Sequence, residues 1–377
     1  MLNLCLDEIF FHHDPVLVAV EPQSMAWVAG QRGPDRTGDT WDDVLKPWPT
    51  LERVVSDAGT GLARGVKLLN EARSGTPHDP EQSPSEQGQS GLEVFHTERE
   101  MQRIVSRRWA SAAQHLETAS QADAQVAKAK QHGIDARGRA GRSRQAWGQA
   151  ERVFDQAVAA ETAMNRLKAA VALWRPDGHL NDRAWAQQQR AETISALGGE
   201  EWGKVRRLLH DSRTLNHLDW MQEQMVQAIP DPLLREAVIR LRYWRGEMSR
   251  THGARQMHAT HLVVESQMLC QRLSPDGLQA DARVGDIVSH TVRASSAVEG
   301  MNSVLRMHQA RHRHVSQQLL DLKRVFWNCR PFTQGKRRGA CPYQLLGLSL
   351  PTHDWWELLQ MEPEELRQKL STQELAA

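Results

Sequence analysis

The spacing of apolar residues changes period along the chain and divides it into a strand-rich start and a long helical remainder. Between residues 2 and 31 three apolar runs, LCLDEIFF, VLVAVE and SMAWVAGQ, are punctuated by Pro15 and by Glu21-Pro22. Short runs bounded by such residues predict three strands, here an antiparallel meander. Trp41, Val44 and Leu45 predict a short helix within 40–50 that Pro47 and Pro49 limit, and Val54 and Val55 mark a fourth strand ending at Asp57. Leu62, Val66 and Leu69 recur every three or four residues, the signature of an amphipathic helix. The Ser/Pro/Gly-rich stretch 74–91 predicts a mobile linker, and Leu92, Val94 and Phe95 a fifth strand.

Beyond that point almost every period up to Arg330 is helical. Ala146, Ala150, Val153, Ala157, Ala160, Met164, Leu167, Val171 and Trp174 alternate four and three apart, which is a heptad seam. The preceding segment through Ile104, Trp109 and Leu116, folded back as a hairpin, is the simplest partner for it. WRPDGHLND after Leu173 and AIPDP around Pro230 interrupt the pattern, so several helices of ordinary length are expected. Seven Trp residues fall between 98 and 288, and helix packing accounts for each ahead of the alternative, stacking on an extruded nucleic-acid base.

Composition narrows the class. The 377 residues are 40% hydrophobic and 25% charged, enough for a sizeable core, and no apolar stretch approaches the roughly 20 residues that span a bilayer. No signal-like segment opens the chain, so the cytoplasm is the expected compartment. Cys5, Cys270, Cys329 and Cys341 have no close pairing, which excludes a zinc ribbon or disulfide framework. A net charge of +1 gives no bulk attraction to nucleic acid, but between Arg293 and Arg338 ten Lys and Arg residues face only Glu299 and Asp321. GKRRG lacks the spacing of a nucleotide-binding loop.

Three carboxylates carry the candidate chemistry. Asp7 sits within an apolar strand, Asp57 follows another where a Gly-containing turn begins, and Glu299 lies in SSAVEGMNSVLR. Three convergent acids suit a pair of Mg²⁺ or Mn²⁺ ions, which take hard oxygen ligands and hold the attacking and leaving oxygens of a phosphoryl transfer. Each acid also has a structural explanation. Strand alternation leaves Asp7 or Glu8 to face solvent, Asp57 suits a helix N-cap, and Ser296-x-x-Glu299 fits a capping box. One active site accounts for all three contexts together. Glu299, Asn302, Ser303 and Arg306 share a helix face that would look toward DNA, and helix packing or surface pairing is an equal alternative for Asn302 and Arg306. His96 is a secondary candidate, either organising the site or satisfying a loop.

Taken in order, LDEIFFHHDPVLVAVEP, VVSDAGTGL, LEVFHTERE, SSAVEGMNSVLR and GKRRGACPYQLLG resemble the DDE transposases of bacterial insertion sequences. The resemblance implies an α/β core plus a large α-helical part. The core is a ribonuclease-H-like mixed five-stranded sheet with helices, interrupted by a helical insertion between strand 5 and the Glu-bearing helix. Residues 1–97 would then be the first part of the core, 98–288 the insertion, 289–350 the last part with basic helices, and 351–377 a tail. The long separation of Asp57 and Glu299 is what implies the insertion.

By the same resemblance Asp7, Asp57 and Glu299 hold two metal ions for hydrolysis at element ends and 3′-OH strand transfer. Asn302, Arg306, Arg313, Lys336, Arg337 and Arg338 would contact DNA, with a homo-oligomer assembling on it in the bacterial nucleoid. The first strand begins almost at Met1, so the amino-terminal DNA-binding domain common in that family is expected to be missing. Two other readings are an inactive remnant that only binds DNA and a helical interaction scaffold.

Overall fold

The computed structural model describes residues 2–47, 51–56, 59–74, 90–92, 94–293, 296–309 and 314–374. Asp57, Arg313 and most of the expected linker lie outside these. The chain divides into two compact units. Unit 1 comprises Met1–Phe95, Asp219–Gln224 and Gly285–Ala377, and unit 2 comprises His96–Leu218 and Met225–Val284.

Unit 1 is built on a mixed sheet ordered β3-β2-β1-β4-β5, in which β1 is Leu2–Phe11, β2 Asp14–Glu21, β3 Ala26–Arg32, β4 Leu51–Ser56 and β5 only Ser90–Leu92. The first three strands form the antiparallel meander, while β4 runs parallel to β1 and β5 to β4. Two expectations are corrected. Pro15 lies inside β2, opposite Phe10, and the reversal falls at His12-His13, where His12 takes a φ of 58°. Val94 opens a helix rather than belonging to the fifth strand. It recurs with buried Thr97, Met101, Ile104 and Val105 at helical spacing, and that longer period outweighs a three-residue apolar run.

Both faces of the sheet are covered, which is why β1 and β2 read as nearly unbroken apolar runs. On one face lie α1 (Gly38–Leu45) and α2 (Thr60–Ser74), with Trp41, Leu45, Leu62 and Val66 packed against Leu4, Leu6 and Leu17. Thr37 caps α1, accepting from the Thr40 N–H. The two helices approach through glycines four residues apart. A Cβ on Gly61 would lie 1.9 Å from the Arg36 carbonyl oxygen, and one on Gly65 2.7 Å from the Trp41 Cβ.

Unit 2 holds α3 (Val94–Gln131, from His96 on), α4 (Arg137–Val171), α5 (Arg183–Ala196), α6 (Gly203–His210), most of α7 (Asn216–Ala228), α8 (Pro232–Arg250), α9 (Ala254–Leu273) and the first residues of α10 (Ala280–His290). The chain reverses between α3 and α4, and the two long helices contact each other antiparallel. Trp109 meets the Phe154 ring edge-on at 5.4 Å, Arg108 donates to Gln156, and Asp123 accepts from Ser143 and Trp147. Ala150, Ala157, Ala160, Met164, Leu167 and Val171 of the heptad seam are buried. Among the described residues no helix is long and apolar enough to cross a membrane.

The other sheet face carries α11 (Ser296–Gln309) and α12 (Gln317–Cys329), whose Val298, Met301, Leu305 and Leu320 meet Cys5, Ile9, Val16, Val18 and Trp27. α12 also lies along β3, the outer strand of the sheet. Asn328 accepts from the Trp27 N–H at 2.8 Å and donates to its carbonyl at 2.9 Å. Gln317 does the same for Arg32 N–H and the Gly30 carbonyl, while Arg324 donates to Val28 and Trp327 to Met25. The chain continues through α13 (Pro342–Leu345), α14 (Trp355–Gln360) and α15 (Pro363–Glu374). The expected tail is not separate, since Trp355 stacks edge-on against Phe326 of α12 at 5.4 Å.

Candidate active site

Asp7 occupies the middle of β1, opposite Val18 of β2, with β4 pairing along the strand's other edge. Alternation turns Cys5, Asp7 and Ile9 toward α11 and Leu4, Leu6 and Glu8 toward α1 and α2. Neither acid faces solvent, contrary to what alternation alone suggested. Asp7 is 8% exposed, and Glu8 accepts from the Trp41 indole at 2.6 Å and pairs with Arg36 at 2.9 Å. A central strand covered on both sides leaves no wet face.

Asn302 reaches Asp7 from α11. Its Nδ2 donates to Asp7 Oδ2 at 2.6 Å, and the Glu8 N–H donates to Oδ1 at 2.8 Å. A hydrogen bond to a charged group contributes roughly 1.5–3 kcal/mol. The other end of the same amide is unmatched, because the fully buried Asn302 Oδ1 meets no donor among the described residues. The expectation that Asn302 faces DNA is therefore corrected. Val298, Met301 and Leu305 set an apolar stripe at spacings of three and four, and Asn302 falls inside it. That stripe was the sequence signal for the contact with Asp7.

A second bond fixes the direction of the helix, as Gln309 Nε2 donates to the Phe10 carbonyl at 2.6 Å. Seven helical residues advance about 10.5 Å and three strand residues about 10 Å, so α11 runs alongside β1 in the same sense. Glu299, one turn before Asn302, then projects about 4.5 Å back along β1. That is near the level of Leu6, which pairs with Ser56 at the end of β4. The Glu299 carboxylate is partly exposed and meets Arg306 at 3.5 Å.

The basic residues divide into two groups. Arg337 is spent inside unit 1, donating to the carbonyls of Pro22 and Gln23 at 2.9 and 2.8 Å, which corrects its expected place against DNA. Arg324 is held by Val28 and Asp321, and Lys323 rests 3.1 Å from His308 with its ammonium pKa lowered by burial. Arg306, Lys336 and Arg338 remain exposed. Arg313 lies outside the described residues. His96 is half-buried in the first turn of α3 and belongs to unit 2.

No protein-family model, curated protein or solved structure matches the chain. What the site can do therefore follows from its own donor set. Among the described residues no three His, Cys, Asp or Glu side chains stand together as a metal-holding group. Asp7 meets the Asn302 amide, whose unmatched oxygen is a further hard donor of the kind Mg²⁺ and Mn²⁺ accept, and Glu299 stands one helical turn before Asn302. A carboxylate and an amide oxygen are donors that a divalent cation takes, and a partner for that buried oxygen would offset a cost of about 1–3 kcal/mol.

Proposed function

We propose that the chain is a metal-dependent polynucleotidyl transferase of the DDE transposase kind, with a ribonuclease-H-like core interrupted by a helical insertion. The bond from Asn302 to Asp7, between residues 295 apart, carries this reading because it brings the Glu299 helix against the strand that holds the first acid. A mixed sheet with Asp7 on its first strand and Glu299 on a helix after its fifth is the arrangement the resemblance implies. Asp57, next in sequence after Ser56 of β4, is the third expected ligand.

Asp7, Asp57 and Glu299 would hold two Mg²⁺ or Mn²⁺ ions, which supply charge neutralisation at the phosphate and activation of water or a 3′-OH. Asp7 is held in place by Asn302 and the Glu8 N–H, and Arg306 positions Glu299 at the exposed edge of the site. Arg306, Lys336 and Arg338 supply cationic contacts for DNA backbone.

The test is nicking and strand transfer on DNA taken from either side of the coding frame, with Mg²⁺ or Mn²⁺ added. Asp7→Asn, Asp57→Asn and Glu299→Gln are each expected to lower the rate by about 100-fold or more. Salt-sensitive DNA binding without any nicking selects the remnant that only binds DNA. Neither binding nor nicking removes the proposal and leaves a helical scaffold.

A further inference from the structure

Helix α9 of unit 2 carries, opposite its buried face, a second stripe that is apolar but for one histidine. Ala259, Val263, Ser266 and Cys270 form a stripe of small buried residues. At 100° per residue that stripe lies about 160° from a second one made of Met257, His261, Val264 and Met268. All four of these are exposed, Met257 by 73% and Val264 and Met268 by about half. A surface helix ordinarily turns charge outward opposite its buried face. Here the outward face carries spacings of four, three and four, the a/d pattern of a coiled-coil seam.

We infer that this seam is a docking surface for the same helix of a second copy of the chain, packed antiparallel about a two-fold axis between His261 and Val264. The positions are self-complementary under that axis. Met257 of one copy falls opposite Met268 of the other, and His261 opposite Val264, so every seam residue meets a seam residue. The flanks agree. On one side His258 falls opposite Glu265 of the other copy, an imidazole donor beside a carboxylate, and this repeats by symmetry. On the other side Thr260 falls opposite Gln267, both uncharged, so no like charges meet. The seam is too neutral for a DNA backbone, with Arg255, Glu265 and Arg272 as the only Lys, Arg, Asp or Glu residues of α9. Four seam residues per copy make a contact below the size of a standard interface, so the association is concentration-dependent.

Sedimentation of the full chain without DNA or metal is expected to show a monomer–dimer equilibrium. Val264→Lys and Met257→Lys should each weaken it about 10-fold or more, with an unchanged melting temperature at concentrations where the parent chain is monomeric, since both side chains are exposed. Orientation is tested separately. In the antiparallel pair the two copies of residue 257 stand about 16 Å apart along the axis, so Met257→Cys alone should not cross-link with a short bismaleimide. The double variant Met257→Cys/Met268→Cys should link copies efficiently, and Cys5, Cys270, Cys329 and Cys341 are buried and do not compete. A strict monomer at all concentrations, a dimer unaffected by Val264→Lys, or equal cross-linking by the single cysteine variant would each overturn the inference. None of these outcomes depends on the proposed catalytic activity.

Discussion

At the scale of single residues the site turns on one amide. Asn302→Ala removes the donor to Asp7 and leaves a small cavity, and chemical denaturation should show a loss of about 1–3 kcal/mol. Asn302→Asp sets a second carboxylate against Asp7 and should be less stable still in EDTA. If the pocket accepts a divalent ion, Mn²⁺ restores much of that loss, and a melting temperature indifferent to Mn²⁺ would show that it does not. Cys329 gives a pH-dependent signature away from the site. Burial, and then the neighbouring Cys341 sulfur, push its thiol from 9.0 up to about 11. The folded thiol therefore keeps its proton when the unfolded one has lost it. Its contribution is fully present below pH 9 and is lost as pH rises toward 11, on the order of 2–3 kcal/mol. Cys329→Ala should flatten stability against pH across that window.

Among elements, the α1–α2 pair depends on absent side chains. Gly61→Ala drives a Cβ into the Arg36 carbonyl, and no rotamer change can relieve a clash with backbone. A loss of about 2–4 kcal/mol by thermal or urea unfolding is the expected outcome. Most of the strands and helices were legible because Pro and Gly bound their apolar runs, as at Glu21-Pro22 and before Leu62. The fifth strand was not, since Ser90–Leu92 is too short to show a period and Val94 belongs to two patterns at once. Asp7 was recognisable as an acid within an apolar strand. Its partner was less legible, because Asn302 is polar by type and suits either DNA or packing until its place in the stripe with Val298 and Leu305 decides its direction.

For the whole molecule, charge counting along the sequence overstates the surface available to DNA. The segment from Arg293 to Arg338 is basic, yet Arg324 and Arg337 close backbone carbonyls of β3 and of the β2–β3 turn. Lys336→Ala and Arg338→Ala should each reduce the salt dependence of DNA binding by about one unit of slope while leaving stability alone. Arg337→Ala should instead lower stability with little change in slope, and the reverse pattern would exchange their roles. The sequence could not reveal this division, because the accepting carbonyls lie about 300 residues away along the chain. Nor could it show that Asp219–Gln224 joins unit 1, where Trp220 lies under the Arg53 guanidinium. The side chains that α12 lays along β3 have a consequence for how copies of the protein meet. Asn328, Gln317 and Arg324 stand where a neighbouring strand's amides would bind, so the meander cannot zip onto another molecule at that border. Asn328→Ala would bare the Trp27 N–H and carbonyl at that border, and thioflavin binding at high concentration should then rise above that of the parent chain.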